Sequence, residues 1–385
     1  MSVRIPTRVI GPTTKGFWAP TEVTVDEFTA AGHTLTDGSL TFPLLTLDAD
    51  ALAHDVRQMA DWTRDHGLEF APHGKTTMSP EIFAAQLDAG AWGMTVATGN
   101  HLLAAYSFGV RRILVANEIV DPAVLRWIAA CEDAEILFYV DSLEGVELAA
   151  ESGGPVSVLL EVGYNRTGVR SHDEALAVAR AVASTGNVSL RGVSAYEGGC
   201  PTLEAAQAFL ADVRQIAEEL RPYIDGEVVL SAGGSAYFDA VADVLRPFPG
   251  GVTILRSGSS VTHDHGIYVD STPFNRIAGS LRPALRIWAQ VLSTPTTTLA
   301  LVGAGKRDVP YDAGLPVVLN KQGWTVTRTA DQHAYLEAGE DAEPLTPGDL
   351  LELGISHPCT AFDKWGAIPV LDADRRVVDV VTTWF

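Results

Sequence analysis

"FPLLTLDADALAHDVRQMADWTRDHGLEFAPHGKTTMSP" (residues 42–80) contains an apolar run, a helical pattern, a second apolar run and the start of another helix. The runs "FPLLTL" (42–47) and "LEFAPH" (68–73) are short and nearly continuous, as expected of strands covered on both faces. Between them the apolar residues recur at three- and four-residue spacing until Gly67. Two such strands joined by a helix predict a parallel βαβ unit. Lys75 stands two residues beyond the second run. Ser79 as N-cap, Pro80 at the first helical position and Glu81 beside it announce the next helix.

The same alternation continues to about residue 256. Further strand-like runs are "WGMTVA" (92–97), "RILVA" (112–116), "EILFYV" (135–140), "VSVLLEV" (156–162), "VSLRGVSAY" (188–196), "EVVLSA" (227–232) and "GVTILR" (251–256). Helical text such as "TLEAAQAFLADVRQIAEELRP" lies between them. Nine runs are close to the eight of a (β/α)8 barrel, with one left over as an extra pairing strand. A doubly wound open sheet is the competing fold, but it has fewer strands, and no G-x-G-x-x-G follows the first one. After about residue 272 the text turns to strands and turns without long helices. The prediction is therefore an α/β chain with a (β/α)8 barrel over 40–271. A second, mostly β domain comprises 272–385, joined by 1–39.

Lys and Arg number 27 against 48 Asp and Glu, a net charge of −21. That balance leaves no footprint for nucleic acid or an anionic membrane surface. The N-terminal text lacks a signal-peptide run, and no segment approaches the ~20 apolar residues of a membrane span. A cytoplasmic protein is expected. The three cysteines (Cys131, Cys200 and Cys359) are widely spaced and read as reduced thiols rather than a disulfide framework.

Three constellations point to chemistry. Lys75 lies at the C-terminal end of a barrel strand, where active sites collect, but most lysines are surface charges. It becomes a nucleophile only if its amine can lose a proton. "SAGGSAYF" (231–238) and "LRSGSS" (255–260) follow the last two barrel strands, the usual place for a phosphate grip. Gly233 and Gly234 would expose N–H groups, Ser235 would begin a helix, and Arg256 stands beside the second loop. Tight turns need glycine anyway. "SHPC" (356–359) places His357 and Cys359 at i, i+2, which on a strand project from one face and suit zinc. Two protein ligands fit only an open or substrate-completed metal site, and an isolated pair is more often a buried thiol beside a core histidine. "HDH" (263–265) reads equally as a polar turn.

Together these motifs resemble the D-serine dehydratase and D-threonine aldolase family of fold-type III pyridoxal-phosphate enzymes, whose barrel is that of alanine racemase. The matching text is "PHGKT" (72–76), "EVGYNRTGV" (161–169), "YEGG" (196–199), "SAGGS" (231–235), "LRSGS" (255–259) and "SHPC", in order. The resemblance implies that Lys75, with His73 beside it, holds pyridoxal 5'-phosphate as a Schiff base. Arg166, Tyr196 and Arg256 would line the cofactor, and Gly233, Gly234, Ser235, Gly258 and Ser259 would hold its phosphate. His357 and Cys359 would bind Zn2+ or another divalent metal.

The implied reaction is elimination of water from a β-hydroxy-D-amino acid such as D-serine, giving an oxo acid and ammonia. Aldolases of the family tend to carry Asp where this chain has Cys359, which favours the dehydratase over retro-aldol cleavage. A racemase would not explain "SHPC", and a non-catalytic cofactor carrier would not need the second domain. A metal-free sugar-phosphate barrel enzyme would make Lys75 incidental. The resemblance further implies a homodimer.

Overall fold

The computed structural model describes residues 3–224 and 226–385. The chain divides into two compact units. One is built on Met59–Lys75 and Phe83–Gly258, the other on Ile5–Gln58, Thr76–Ile82 and Ser259–Phe385.

In the first unit eight parallel strands pair in sequence order, from Met94–Val96 through Arg112–Glu118, Glu135–Val140, Val156–Val162, Val188–Ala195 and Val228–Ala232 to Gly251–Leu255 and Glu69–Phe70. Trp92 N donates to Phe70 O at 2.7 Å and Thr95 N to Pro72 O at 3.0 Å, so the first and last strands meet and the sheet closes. Strands in this position are buried on both faces, which is why Leu137, Phe138 and Tyr139 are sealed from solvent although adjacent in sequence. Leu114, Leu137, Tyr139, Leu159, Val229 and Ile254 fill the barrel interior. Outside it, the helix Leu203–Leu220 buries Ala206, Leu210, Val213, Ala217 and Leu220 at alternating four- and three-residue spacing. Thr202 Oγ1 caps that helix by accepting the N–H of Ala205.

Two outer helices are clasped by a histidine. His172, first residue of His172–Ser184, places Nδ1 2.8 Å from Glu219 and Nε2 3.0 Å from Asp212, both on Leu203–Leu220. Donating from both nitrogens requires the protonated ring, and Asp212 and then Glu219 raise its pKa. This clasp is fully present below the unfolded value of about 6.5 and is lost as pH rises through the higher folded value. His172→Leu should therefore lower the urea midpoint at pH 6 and leave little difference at pH 9. An equal loss at both pH values would mean that packing, not the ion pairs, is what His172 contributes.

The second unit is mostly β. Its sheet runs Trp324–Thr329, Ala334–Ala338, Leu299–Val302, Leu285–Thr296, Leu44–Asp48, Ala367–Leu371 and Val377–Thr382, with Leu350–Gly354 also on Leu285–Thr296. The ninth apolar run is accounted for here. Leu44–Asp48 pairs antiparallel with Leu285–Thr296 and parallel with Ala367–Leu371, outside the barrel. Its Thr46 Oγ1 accepts the Trp288 indole N–H at 2.9 Å inside the core of this unit. The helix Ala49–Asp65 is divided between the two units, with its residues up to Gln58 in the second unit and Met59 onward in the barrel unit. Residues 259–271 likewise fall with the second unit. Among the described residues no helix is long and apolar enough to cross a membrane.

Candidate active site

Lys75 occupies a 3-10 turn, Gly74–Thr76, at the C-terminal mouth of the barrel, and its side chain is exposed. The turn depends on glycine: a Cβ at Gly74 would lie 2.3 Å from the Phe83 ring. Phe83 itself belongs to Pro80–Asp88, the helix that starts where the Ser79-Pro80 signal places it. Behind Lys75, the Nδ1 of His73 is sealed from water with no hydrogen-bond partner. Burial, then the Lys75 and Arg256 charges, hold His73 well below its ordinary pKa, so it is neutral. His101, which the sequence reading missed, is lowered by burial and by Lys75.

Arg256 is 5% exposed and firmly held. It donates to Ser231 Oγ at 2.7 Å, Ser194 Oγ at 3.2 Å and Ala195 O at 2.8 Å. Arg166 stacks over the Tyr196 ring, 4.3 Å from its centroid, so these two expected residues do meet.

The glycine loop differs from expectation in two ways. The N–H groups of Gly233 and Gly234 go to the buried carboxylate of Glu197, at 2.9 and 2.6 Å. An acceptor supplied by the chain itself thus takes the donors assigned to a phosphate. Second, Ser235 does not begin the helix, which spans Phe238–Leu245. Gly233 sits at φ +112°, so the chain turns through residues 234–237 before Phe238 can bury and start the helix. The glycines are still required for space. A Cβ would lie 2.2 Å from Leu255 Cδ1 at Gly233 and 3.1 Å from the Tyr196 ring at Gly234. Gly258 and Ser259 are buried at the end of the next strand, and Ser257 Oγ donates to Gly234 O at 3.1 Å, tying the two loops together.

A buried carboxyl pair was also missed. Glu118 is pushed up to about 8 by burial and by hydrogen bonding to Glu161, and each retains an oxygen with no donor. Such a pair is satisfied when it holds one proton. The signal that could have found it is a glutamate at the C-terminal end of each of two barrel strands, Arg112–Glu118 and Val156–Val162.

The expected metal pair lies in the second unit, but not on a strand. Leu350–Gly354 ends before it, His357 is left-handed at φ +65°, and Pro358–Thr360 forms a 3-10 turn. Pro358 has no N–H for a ladder and favours a turn instead. The turn still brings imidazole and thiol together: the Cys359 thiol, aided by Asp312 and opposed by burial, pushes His357 up to about 9. His357 Nδ1 is 2.5 Å from Asp312 Oδ2, and Thr360 Oγ1 donates to Asp312 Oδ1 at 2.8 Å. Cys359 Sγ lies 3.3 Å from the hydroxyl of Thr76, the residue that follows Lys75 in the chain. Among the described residues no group of three or more His, Cys, Asp or Glu side chains is placed to hold a metal ion.

Comparison with known proteins bears on both units. The "Putative serine dehydratase domain" family model matches residues 284–371. D-threonine aldolase of Arthrobacter sp is 26% identical over 354 residues, 88% of this chain and 90% of that protein. D-threo-3-hydroxyaspartate dehydratase of Delftia sp. (strain HT23) is 29% identical over 184 residues, 45% of this chain and 48% of that one. The solved D-threonine aldolase from Filomicrobium marinum superposes with a TM-score of 0.79 at 25% identity, covering 91% of this chain and 96% of its own. The family model "Alanine racemase, N-terminal domain" matches residues 47–264, more than half of the chain, which therefore belongs to that family.

Proposed function

We propose that this chain is a pyridoxal-phosphate-dependent lyase that eliminates water from a β-hydroxy-D-amino acid such as D-serine, with Zn2+ or another divalent ion at His357 and Cys359. The observation that carries the metal-assisted reading is the pairing of the Cys359 thiol with an imidazole whose Nδ1 is engaged by Asp312. A carboxylate on Nδ1 orients the ring, a metal would displace the proton from the other nitrogen, and thiolate with imidazole is a donor set that zinc favours. The barrel residues fit the cofactor equally: glycines where a Cβ would clash, a buried guanidinium and a lysine on the rim.

When bound, the cofactor supplies an electron sink for the charge left at the substrate Cα, and the metal supplies a Lewis acid for the departing hydroxyl. The chain does the rest. Lys75 Nζ would hold the cofactor and, as an amine able to lose its proton, would take the proton from the substrate Cα. Neutral His73 adds no positive charge beside that amine. Arg256 keeps a permanent charge in place through its three hydrogen bonds, and Arg166 on Tyr196 closes another side. Ser235, Gly258 and Ser259 would hold the phosphate, while Gly233 and Gly234 shape the turn that Glu197 fastens. The net charge of −21 suits an enzyme without nucleic-acid or membrane partners, and the proposal further takes it as a cytoplasmic homodimer acting on a small substrate.

Retro-aldol cleavage is the second reading, favoured by the long match to a D-threonine aldolase. Incubating D-serine and D-threonine with and without chelator separates the two. Ammonia and an oxo acid are expected, lost on chelation and restored by Zn2+. Glycine with an aldehyde would replace the dehydratase by the aldolase.

A further inference from the structure

The "HDH" stretch has no task in that reaction, yet Asp264 is only 1% exposed. Its carboxylate is surrounded by backbone donors. Oδ1 accepts the N–H of Gly266 at 3.1 Å and of Tyr268 at 2.9 Å. Oδ2 accepts the N–H of His357 at 2.8 Å, from a residue 93 positions away. The first two bonds shape the local turn. The third reaches a residue whose φ of +65° is uncommon for any side chain but glycine and requires outside support. Pro358 already disfavours the ordinary helical conformation at His357, and the bond to Asp264 engages its N–H. From that backbone the imidazole turns Nδ1 towards Asp312 and lies beside the thiol.

The flanking histidines serve the core. His263 is 3% exposed, and the His265 ring packs against Gly354, where a Cβ would come within 2.5 Å of it.

We infer that Asp264 is a positioning residue for the metal: it sets the left-handed backbone of His357 and so aims the imidazole, whose rotation Asp312 then fixes. This rests on the metal reading above, and the experiment separates the two. Asp264→Asn keeps the size but offers an amide NH2 group where a backbone N–H arrives. Asp264→Glu keeps the charge and displaces the oxygens by about one methylene, so it also serves if the Asn variant does not fold. Both are compared with His357→Ala by Zn2+ affinity in chelator competition and by the absorption spectrum with Co2+. Far-UV circular dichroism and the bound cofactor's visible band monitor the fold.

His357→Ala should lose the metal. Each Asp264 variant that keeps the fold signals should bind Zn2+ about 10- to 100-fold more weakly, the range for residues that orient a metal ligand. Its Co2+ bands should shift as well. If His357→Ala keeps wild-type zinc, the metal assignment fails and this inference with it. If His357→Ala loses zinc while either folded Asp264 variant binds it with wild-type affinity and spectrum, the metal reading stands and the role of Asp264 is overturned. Loss of fold in both variants would make Asp264 a general structural residue and would equally overturn its assignment to the metal.

Discussion

Lys75→Ala should abolish lyase activity by more than about 10³-fold, because the proposed function makes one side chain both covalent anchor and base. The visible band of the bound cofactor, and its loss on borohydride reduction, should disappear with it. Folding should be unaffected, since Lys75 is exposed on a 3-10 turn whose geometry depends on Gly74 rather than on the lysine. Lys75→Arg is the sharper control. It retains the charge and most of the length, but a guanidinium does not give up its proton at neutral pH, so it should be equally inactive. A borohydride-reducible band that survives in Lys75→Ala would place the attachment on another lysine and remove the basis for the whole site.

Cys359→Ala should separate the two chemistries that the proposed function combines. Loss of the thiolate leaves His357 as a single ligand, too few for stable zinc binding. Elimination should fall by roughly 10²-fold or more, since hydroxide leaves poorly without a Lewis acid. The barrel unit does not include Cys359, so the cofactor band and some exchange of the substrate Cα proton should persist. Solvent deuterium uptake into D-serine, measured beside ammonia release, reads both at once. Ammonia release at the wild-type rate from a zinc-free variant would show that the metal is not the acid and would sink the mechanism as written.

Much of this architecture is legible in local text. The alternation of apolar runs and helical patterns suffices for parallel βαβ units, because strands covered on both faces leave a continuous apolar signature, and the number of runs favours the barrel over an open sheet. Lys75 at a strand end and the Ser79-Pro80 helix start are equally local. The motif "SHPC" is visible, but its geometry is not: a residue before proline is read as extended, whereas His357 is left-handed.

The amino-acid sequence by itself determined the alternation of barrel strands and helices, where Lys75 stands and which side chains are chemically able to hold a metal. These follow from periodicity, capping and residue type, all short-range properties. Only the tertiary structure decided that Leu44–Asp48 pairs outside the barrel, since an apolar run is the same text whichever neighbours complete its hydrogen bonds. It alone gave the Gly233 and Gly234 N–H groups to Glu197, and set Asp312 and Asp264 on the two ends of His357. Hydrogen bonds between residues tens of positions apart depend on how the chain returns to itself, and no local pattern records that.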